Sequence, residues 1–473
     1  MVEASRYRET EGFLKLVRQH WERTGQVPLE QIEVGLKAAL MRDGCGMLSA
    51  LLSELSVDAD ESRHGEECFG KRDCTVETVL GSIELKRNYY YDRRMQKGRI
   101  PLDEALGLIH GYSPGLARLM CWAGAQSASY PAASQALHRY GGMDVEFRQI
   151  QRLVSEQGPK LADLLDRPWQ PEQGLPASTT YISMDATGVP MKSKELQGRR
   201  GKQPDGSAKT REAKLGCTRL AEAYGVARVF TQHHVDEQGR PWRDLDSTTY
   251  AGGFDTAADF GHRIHREAIR RNVFAAQKLI AIGDGAPWIW EQVGKFFPQA
   301  VQILDFYHAS EHLKLLADPR YAARRRDEAL WRSRKGFGEA RALEPSDPKT
   351  VRALLEHWQE CLRHDGLDQV IAETIARLPR QGPRKKEADK HLAYFENNRH
   401  RMQYGAFQKR GWFIGSGVIE AGCKTVIGQR LKQSGMLWSI SGAQNILALR
   451  CATSSRRFDH AWDLLHPQLA LAA

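Results

Sequence analysis

The stretch from Lys278 to His312 limits what this chain can fold into more than any other. It reads Lys278-Leu-Ile-Ala-Ile-Gly-Asp284-Gly285, then a segment from Pro287 with Ile289, Val293, Phe296 and Phe297, then Ala300-Val-Gln-Ile-Leu-Asp305-Phe-Tyr-His308. The first run is short, almost wholly apolar and stops at Asp-Gly, as a strand buried on both faces does. Pro287 suits a first helical position, and the four apolar residues after it fall on one helical face. A second apolar run follows and also ends in an acid. The spacing predicts a βαβ unit with Asp284 and Asp305 at the carboxyl ends of two parallel strands. Open α/β sheets place their ligands at that edge.

The same pattern occurs upstream. Thr179-Thr-Tyr-Ile-Ser-Met-Asp185 is a β-rich run stopped by an acid, with Gly188 and Pro190 as breakers just beyond. An aspartate at a strand end serves equally as a turn residue or a cap. Three such acids, joined by a late acidic motif, weigh towards a shared site.

Taken in order, residues Tyr7 to Leu55 read as helical, with Pro28 and Gly44 as breaks, and Asp58 to Cys74 as a polar loop. Thr75 to Tyr91 reads as a hairpin turning at Gly81-Ser82, with basic and aromatic residues interleaved from Lys86 to Tyr91. Such a strand suits either a phosphate backbone with stacked bases or an ordinary solvated edge. Ser113 to Gly158 reads as three short helices. The last two, joined through Gly141-Gly142, match a helix-turn-helix that would turn Arg148, Gln149, Gln151 and Arg152 outward. Arg and Gln can read guanine and adenine edges. Pro168, Pro171 and Pro176 mark a linker, Gln197 to Gly206 a mobile basic loop, and Lys209 to Phe230 the next two strands. Thr248 to Gly253 reads as a loop, and Thr256 to Asn272 as a helix with a basic end. The segment from 318 to 407 is charged and poor in β-branched runs, and is expected to be an all-α insertion. The boundaries drawn are thus 1–112, 113–177, 178–317, 318–407 and 408–473.

Lys and Arg exceed Asp and Glu by ten, which favours a polyanionic partner, nucleic acid first. No apolar run is long enough to span a bilayer, and Met1-Val-Glu-Ala-Ser-Arg lacks a signal-peptide core, so a cytoplasmic chain without a membrane partner is expected. The eight cysteines form no Cys-x-x-Cys and are expected as reduced thiols. His64, Cys68 and Cys74 fit no standard zinc spacing, and no zinc is expected.

The late motif is Gly415-Ser416-Gly417-Val-Ile-Glu420, continuing to Lys424, Arg430 and Lys432. Ser416 or Gly417 can cap a helix with Glu420 in its first turn, and Lys424 lies at the spacing of an ion pair with Glu420. Phosphodiester chemistry needs charge stabilisation on the attacking and leaving oxygens, which two Mg²⁺ or Mn²⁺ ions about 3.5–4 Å apart supply. Such hard cations want oxygen ligands, and Asp185, Asp284 and Glu420 offer them. Asp305 would orient a ligand or His308, and His308 would touch the scissile phosphate or support a ligand from behind. A histidine satisfied within the core fits the sequence equally well.

The set Met184-Asp185-Ala-Thr-Gly, Ile282-Gly-Asp284-Gly-Ala-Pro-Trp-Ile-Trp290, Ile303-Leu-Asp305-Phe-Tyr-His308-Ala-Ser-Glu-His312 and Gly415-Ser-Gly-Val-Ile-Glu420 resembles the DDE transposases of bacterial insertion sequences. It looks closest to the ISKra type within the Mutator-like group. Gln429 to Trp438, and Tyr89-Tyr90 followed by Pro101 to Gly107, resemble it as well. Relatives often carry a Cys-x-x-Cys after the paired tyrosines, where this chain has Asp92-Arg-Arg-Met-Gln-Lys. The resemblance implies an α/β ribonuclease-H-like catalytic domain with an all-α insertion, preceded by a mainly helical DNA-binding region with a β-hairpin. It implies Asp185, Asp284 and Glu420 as a metal triad holding two ions. The partners implied are double-stranded DNA at element ends and target, bound as a homodimer on paired ends within the nucleoid. Arg148, Gln149, Arg152, Lys424, Arg430 and Lys432 are the expected DNA contacts. Rival readings are a nuclease of the same fold that cuts without joining, a DNA-binding relic, and a metal-free carboxylate hydrolase of the glycosidase kind.

Overall fold

A computed structural model describes residues 7–55, 63, 65–167, 179–201, 203, 206–221, 230–235, 241–243, 247–317, 348–378 and 380–467. The chain forms two units, one of Met1–Leu164 with Phe458–Ala473 and one of Leu165–Arg457. The boundary expected between 177 and 178 falls outside the described residues.

The first unit opens with helices α1 (Arg8–Thr24) and α2 (Leu29–Leu55). Asp43 on α2 reaches back to α1, where its carboxylate accepts from the Glu9 and Thr10 amides at 2.9 Å each. It thereby satisfies two of the donors that a helix start leaves open. Gly44 does not break α2 as its composition predicts. Around it Cys45, Leu48 and Leu52 pack on Val76, Ile83 and Leu85, and that burial outweighs the propensity cost of one glycine. The apolar trio belongs to a sheet of β1 (Glu66–Glu77), β2 (Ser82–Asp92) and β3 (Lys97–Arg99). The hairpin is therefore longer than its sequence suggests, and Glu66 to Cys74 is strand rather than loop. Its turn uses Gly81 at φ +135°, a conformation that L side chains rarely adopt. After α3 (Pro101–Ala105) come α4 (Pro114–Gln126), α5 (Tyr130–Ala136) and α6 (Phe147–Asp166). The Ser113 and Ser129 hydroxyls accept the amides of Leu116 and Ala132, with a proline at the first helical position after Ser113 and at the second after Ser129.

The second unit is built on a mixed five-stranded sheet in the order β10-β9-β4-β5-β8. Its strands are β4 (Thr179–Pro190), β5 (Thr210–Ala221), β8 (Thr248–Gly253), β9 (Lys278–Gly283) and β10 (Val301–Leu304). Among the described residues β6 (Phe230–Val235) and β7 (Pro241–Arg243) pair with each other and not with the main sheet, so the described part of Lys209 to Phe230 supplies one strand of it where two were expected. The third strand is β8, which composition marks as a loop. Its Thr248 and Thr249 are buried, and the Tyr250 amide donates to the Ser455 hydroxyl at 2.9 Å. β-branched residues buried beside a neighbouring strand favour the ladder over the turn that Gly252-Gly253 suggests. β4, β9 and β10 run parallel, whereas β4, β5 and β8 are antiparallel.

Helices α7 (Ala257–Arg270), α8 (Pro287–Phe296) and α9 (Phe306–Ala317) accompany the sheet. The segment expected to be an all-α insertion is helical wherever it is described. It contains α10 (Pro348–Arg363), α11 (Leu367–Arg377), α12 (Pro383–Asn398) and α13 (Tyr404–Lys409), while residues 318–347 lie outside the description. Its described residues share the core of the sheet layer. Trp358, Leu362, Phe395, Tyr404 and Phe407 share one apolar cluster with Ile280, Ile303, Leu304 and Phe306 of the sheet layer. α14 (Gly417–Gly422) passes through a π-helical turn, Cys423–Gly428, before α15 (Ile440–Ser454) and, in the first unit, α16 (Phe458–Leu465).

Candidate active site

Strand register aligns the three strand-end acids. Ser183 pairs with Ile282 on the neighbouring parallel strand, so Asp185 and Asp284 each lie two residues beyond that pair. Leu304 pairs with Gly283, so Asp305 stands beside Asp284 in the next strand. Neighbouring strands are about 4.8 Å apart, so the row brings the acids together at one sheet edge. β4 does not stop at Asp185, as the acid and its breakers predict, but continues to Pro190 against β5 alone.

The three acids have different surroundings. Asp305 is fully buried. One carboxylate oxygen accepts from the Tyr307 amide at 2.6 Å and the His308 amide at 3.0 Å, capping α9. The other accepts from the Ser416 amide at 2.6 Å and from the Ser416 hydroxyl. All four bonds are to this chain, so Asp305 is a tie between the start of α9 and the start of α14. Ser416 stands at the helix start as expected but accepts no amide of the first turn; its hydroxyl is instead turned to donate to Asp305. A second, longer contact of 3.4 Å connects the same hydroxyl to Glu420 Oε1.

Asp185 and Asp284 have fewer partners. Asp185 Oδ1 accepts from the Ala186 amide at 2.6 Å. Burial raises the Asp185 pKa above the ordinary carboxylate range, and the charge of Asp284 raises it further. The Ala186 amide, the Cys423 thiol and His308 oppose that rise. Asp284 Oδ1 accepts from the Ala286 amide at 2.8 Å, and its Oδ2 lies 3.9 Å from His308 Nε2. Cys423 was not singled out by sequence; its buried thiol reaches Asp185 from the element that carries Glu420. Contacts thus run from Asp185 through Cys423 to the start of the Glu420 helix, from there through Ser416 to Asp305 and the His308 amide, and from the His308 ring to Asp284.

Two buried-edge carboxylates that repel each other suit a hard divalent cation, which would offset the repulsion. Asp185 and Asp284 would be the oxygen donors for such an ion, with Glu420 on α14 as a third. Among the described residues no three His, Cys, Asp or Glu side chains already stand close enough together to hold an ion. His64 of the zinc spacing weighed above lies outside the described residues.

The expected ion pair between Glu420 and Lys424 does not form among the described residues. The π-helical turn from Cys423 changes the rotation per residue, so the four-residue spacing no longer brings the two side chains together. Lys424 is exposed, and Lys432 donates to the Thr187 hydroxyl at 2.9 Å, two residues along β4 from Asp185. Arg430 corrects the expectation of a DNA-facing side chain. It is 1 % exposed, with its guanidinium 5.0 Å from the centre of the Trp438 ring, and belongs to the core. Arg148 and Arg152 are exposed on α6, whereas Gln149 is half-buried. On the aromatic strand Arg87 pairs with Asp103 and Lys86 approaches Asp73 at 3.9 Å, so acids offset much of its positive charge.

Two residues of the helical segment also reach the site. Tyr394 stacks on His312 at 3.6 Å between ring centres and 7° between planes, and His312 Nδ1 lies 3.0 Å from His391 Nδ1. His312 stands in a motif the sequence displays, but nothing in the sequence connects it with residues some eighty positions later.

A model of an uncharacterised protein family (UPF0236) matches residues 23–194, well under half of the chain. No curated protein matches it. Among solved structures the chain is similar to the Drosophila P element transposase strand transfer complex, with 10% identity, a TM-score of 0.26, and coverage of 76% of this chain and 82% of that one. A likeness of that degree fixes neither fold nor activity. Among the described residues no helix is long and apolar enough to cross a membrane.

Proposed function

We propose that this chain is a DDE transposase of the insertion-sequence kind, which binds the ends of its element and carries out metal-dependent strand cleavage and strand transfer. The observation that carries the reading is the register row of Asp185 and Asp284 at the parallel edge of the sheet, with Glu420 brought towards it by a helix tied to Asp305. Numbered in chain order, the five strands stand 3-2-1-4-5, with the first three antiparallel and the last two parallel to the first. That order supports a ribonuclease-H-like domain, and the helices between α9 and α14 support the inserted segment.

Mg²⁺ or Mn²⁺ held by Asp185, Asp284 and Glu420 would supply charge neutralisation at the attacking and leaving oxygens. The chain's own part is positional. Asp305 and Ser416 fix the start of the Glu420 helix, the Ala186 and Ala286 amides orient the two strand-end carboxylates, and His308 stands beside Asp284 where a phosphate oxygen would approach. Lys424 and Lys432 offer positive charge next to the site. The first step is hydrolysis at the element's end, in which water attacks phosphorus and a 3′-oxygen leaves. In the second step that 3′-hydroxyl attacks target DNA and displaces another 3′-oxygen. The proposed partners are double-stranded DNA and a second copy of the chain on paired ends, in the bacterial cytoplasm.

The test uses the gene's own flanking DNA as labelled ends, incubated with protein and Mg²⁺ or Mn²⁺ for the wild type and Asp284→Asn. Metal-dependent cleavage and joining to a plasmid, lost in the variant, is the expected result. Cleavage that never yields a joined product would favour a nuclease of the same fold. Activity unchanged in Asp284→Asn would remove the site assignment altogether.

A further inference from the structure

Gly285 follows Asp284, and its open side is filled. A Cβ built there would lie 2.0 Å from Cε2 and 2.8 Å from the hydroxyl oxygen of Tyr394. Tyr394 is delivered by α12, from the helical segment, nowhere near β9 in sequence. Its ring is fixed from behind by the parallel His312 ring, and His312 is in turn held by His391, also on α12. The adjacent Phe395 is fully buried in the common core and anchors that helix. The Tyr394 hydroxyl is buried too and faces the Gly285 amide without forming a well-shaped hydrogen bond, while the ring edge makes the closer approach to Gly285.

We propose that Tyr394, stacked on His312, is a positioning residue that clamps the Asp284–Gly285 turn, so that the helical segment sets the place of the second carboxylate. The turn is otherwise held by one side-chain bond, from the Ala286 amide to Asp284. Without the ring, Gly285 regains a conformational freedom larger than that of any other residue. Asp284 then loses its fixed distance from Asp185 and His308. The consequence for catalysis rests on the role proposed for Asp284; the clamp itself does not.

The experiment measures hydrogen exchange of the intact chain together with cleavage of the flanking DNA. It compares the wild type, Tyr394→Phe, Tyr394→Ala, Gly285→Ala and the double variant Gly285→Ala/Tyr394→Ala. Tyr394→Phe keeps the ring and is expected to exchange and cleave like the wild type. Tyr394→Ala is expected to speed exchange across Gly283–Trp288 about tenfold, with β4 unchanged, because local opening there no longer breaks the stack. Its kcat should fall about tenfold with KM unchanged, the mark of a misplaced reacting group rather than lost binding. Gly285→Ala should be impaired, and removing the Tyr394 ring should partly restore it, which a general loss of stability cannot do. Equal losses in Tyr394→Phe and Tyr394→Ala would overturn the proposal by giving the role to the hydroxyl. Unchanged exchange in Tyr394→Ala, or no restoration in the double variant, would overturn it as well. Faster exchange in a protein whose wild type cleaves no DNA would keep the clamp and remove the transposase reading.

Discussion

Replacing Asp305 by asparagine exchanges one acceptor oxygen for a donor at a fully buried position. The carboxylate accepts four hydrogen bonds, two from the start of α9 and two from Ser416. With the amide oxygen turned towards α9, the Ser416 hydroxyl can rotate to accept from the new NH₂, but the Ser416 amide is left facing a donor. Turned the other way, both the Tyr307 and His308 amides are left without an acceptor. The first arrangement costs less: one orphaned buried amide, plus the weakening of bonds that had a charged acceptor, together about 2–4 kcal/mol. For a unit of this size that lowers the midpoint of thermal unfolding by roughly 3–7 °C. Asp305→Ala removes every acceptor and costs about 4 kcal/mol or more. Asp284→Asn is the contrast. Its side chain is 28 % exposed and keeps its one amide bond through the remaining oxygen, so its stability should change by less than about 1 kcal/mol. Circular dichroism and calorimetry on the three variants supply the ranking. An Asp305→Asn protein as stable as the wild type, or an Asp284→Asn protein that loses more, would refute the division between a tying acid and a reactive one.

Asp185→Asn should stabilise the chain at neutral pH, with the gain disappearing on acidification. An acid whose folded pKa is raised above its ordinary 3.8 makes the folded state lose stability as pH rises from 3.8 through the raised value, and the neutral amide lacks that loss; urea unfolding across pH 3.5–8 reads it, and parallel curves for both proteins would contradict it. Glu267→Gln should cost about 3–5 kcal/mol, because Arg270 and Arg457, bound to that buried carboxylate at 2.9 Å and 2.7 Å, lose their shared counter-charge; thermal unfolding within 2 °C of the wild type would speak against it. Arg148→Ala and Arg152→Ala should each flatten the dependence of log affinity on log salt by about one unit on any duplex, as exposed phosphate contacts do, while Arg430→Ala should leave the slope unchanged and lower stability instead. Filter binding at four salt concentrations separates the two classes.

The βαβ unit was legible because its signal is local. An apolar run ending in an acid, a proline at the helix start and a second apolar run appear in the structure as β9, α8 and β10. What could not be read locally is what sequence-distant partners decide. β8 carries two glycines and becomes a strand only because β5 and α15 enclose it. Gly44 stays helical because the sheet of the first unit lies beneath it. Arg430 looks like a surface cation until Trp438 is seen under its guanidinium. Asp305 was singled out with the other acids, yet its neighbour Ser416 lies 111 residues away, and only that pairing shows how it differs from them.

That difference bears on where chemistry can reside. A buried charge that is fully hydrogen-bonded has no free capacity, and Asp305 is of that kind. Asp185 and Asp284 sit in the same register row with one backbone donor each, and burial, with a smaller push from the charge of Asp284, raises the pKa of Asp185. A fold gains nothing in stability from two under-compensated acids side by side, whereas the cation site proposed above needs them there. The same row explains why the tie stands next to the pair proposed to hold the cation. A carboxylate locked between α9 and the start of α14 transmits the position of the sheet edge to Glu420, which no strand could deliver directly. If that is its use, Ser416→Ala should leave Asp185 and Asp284 in place while loosening only Glu420. Its cleavage rate should fall although exchange across Gly283–Trp288 stays as in the wild type, and a parallel rise in exchange there would show instead that the whole edge depends on the tie.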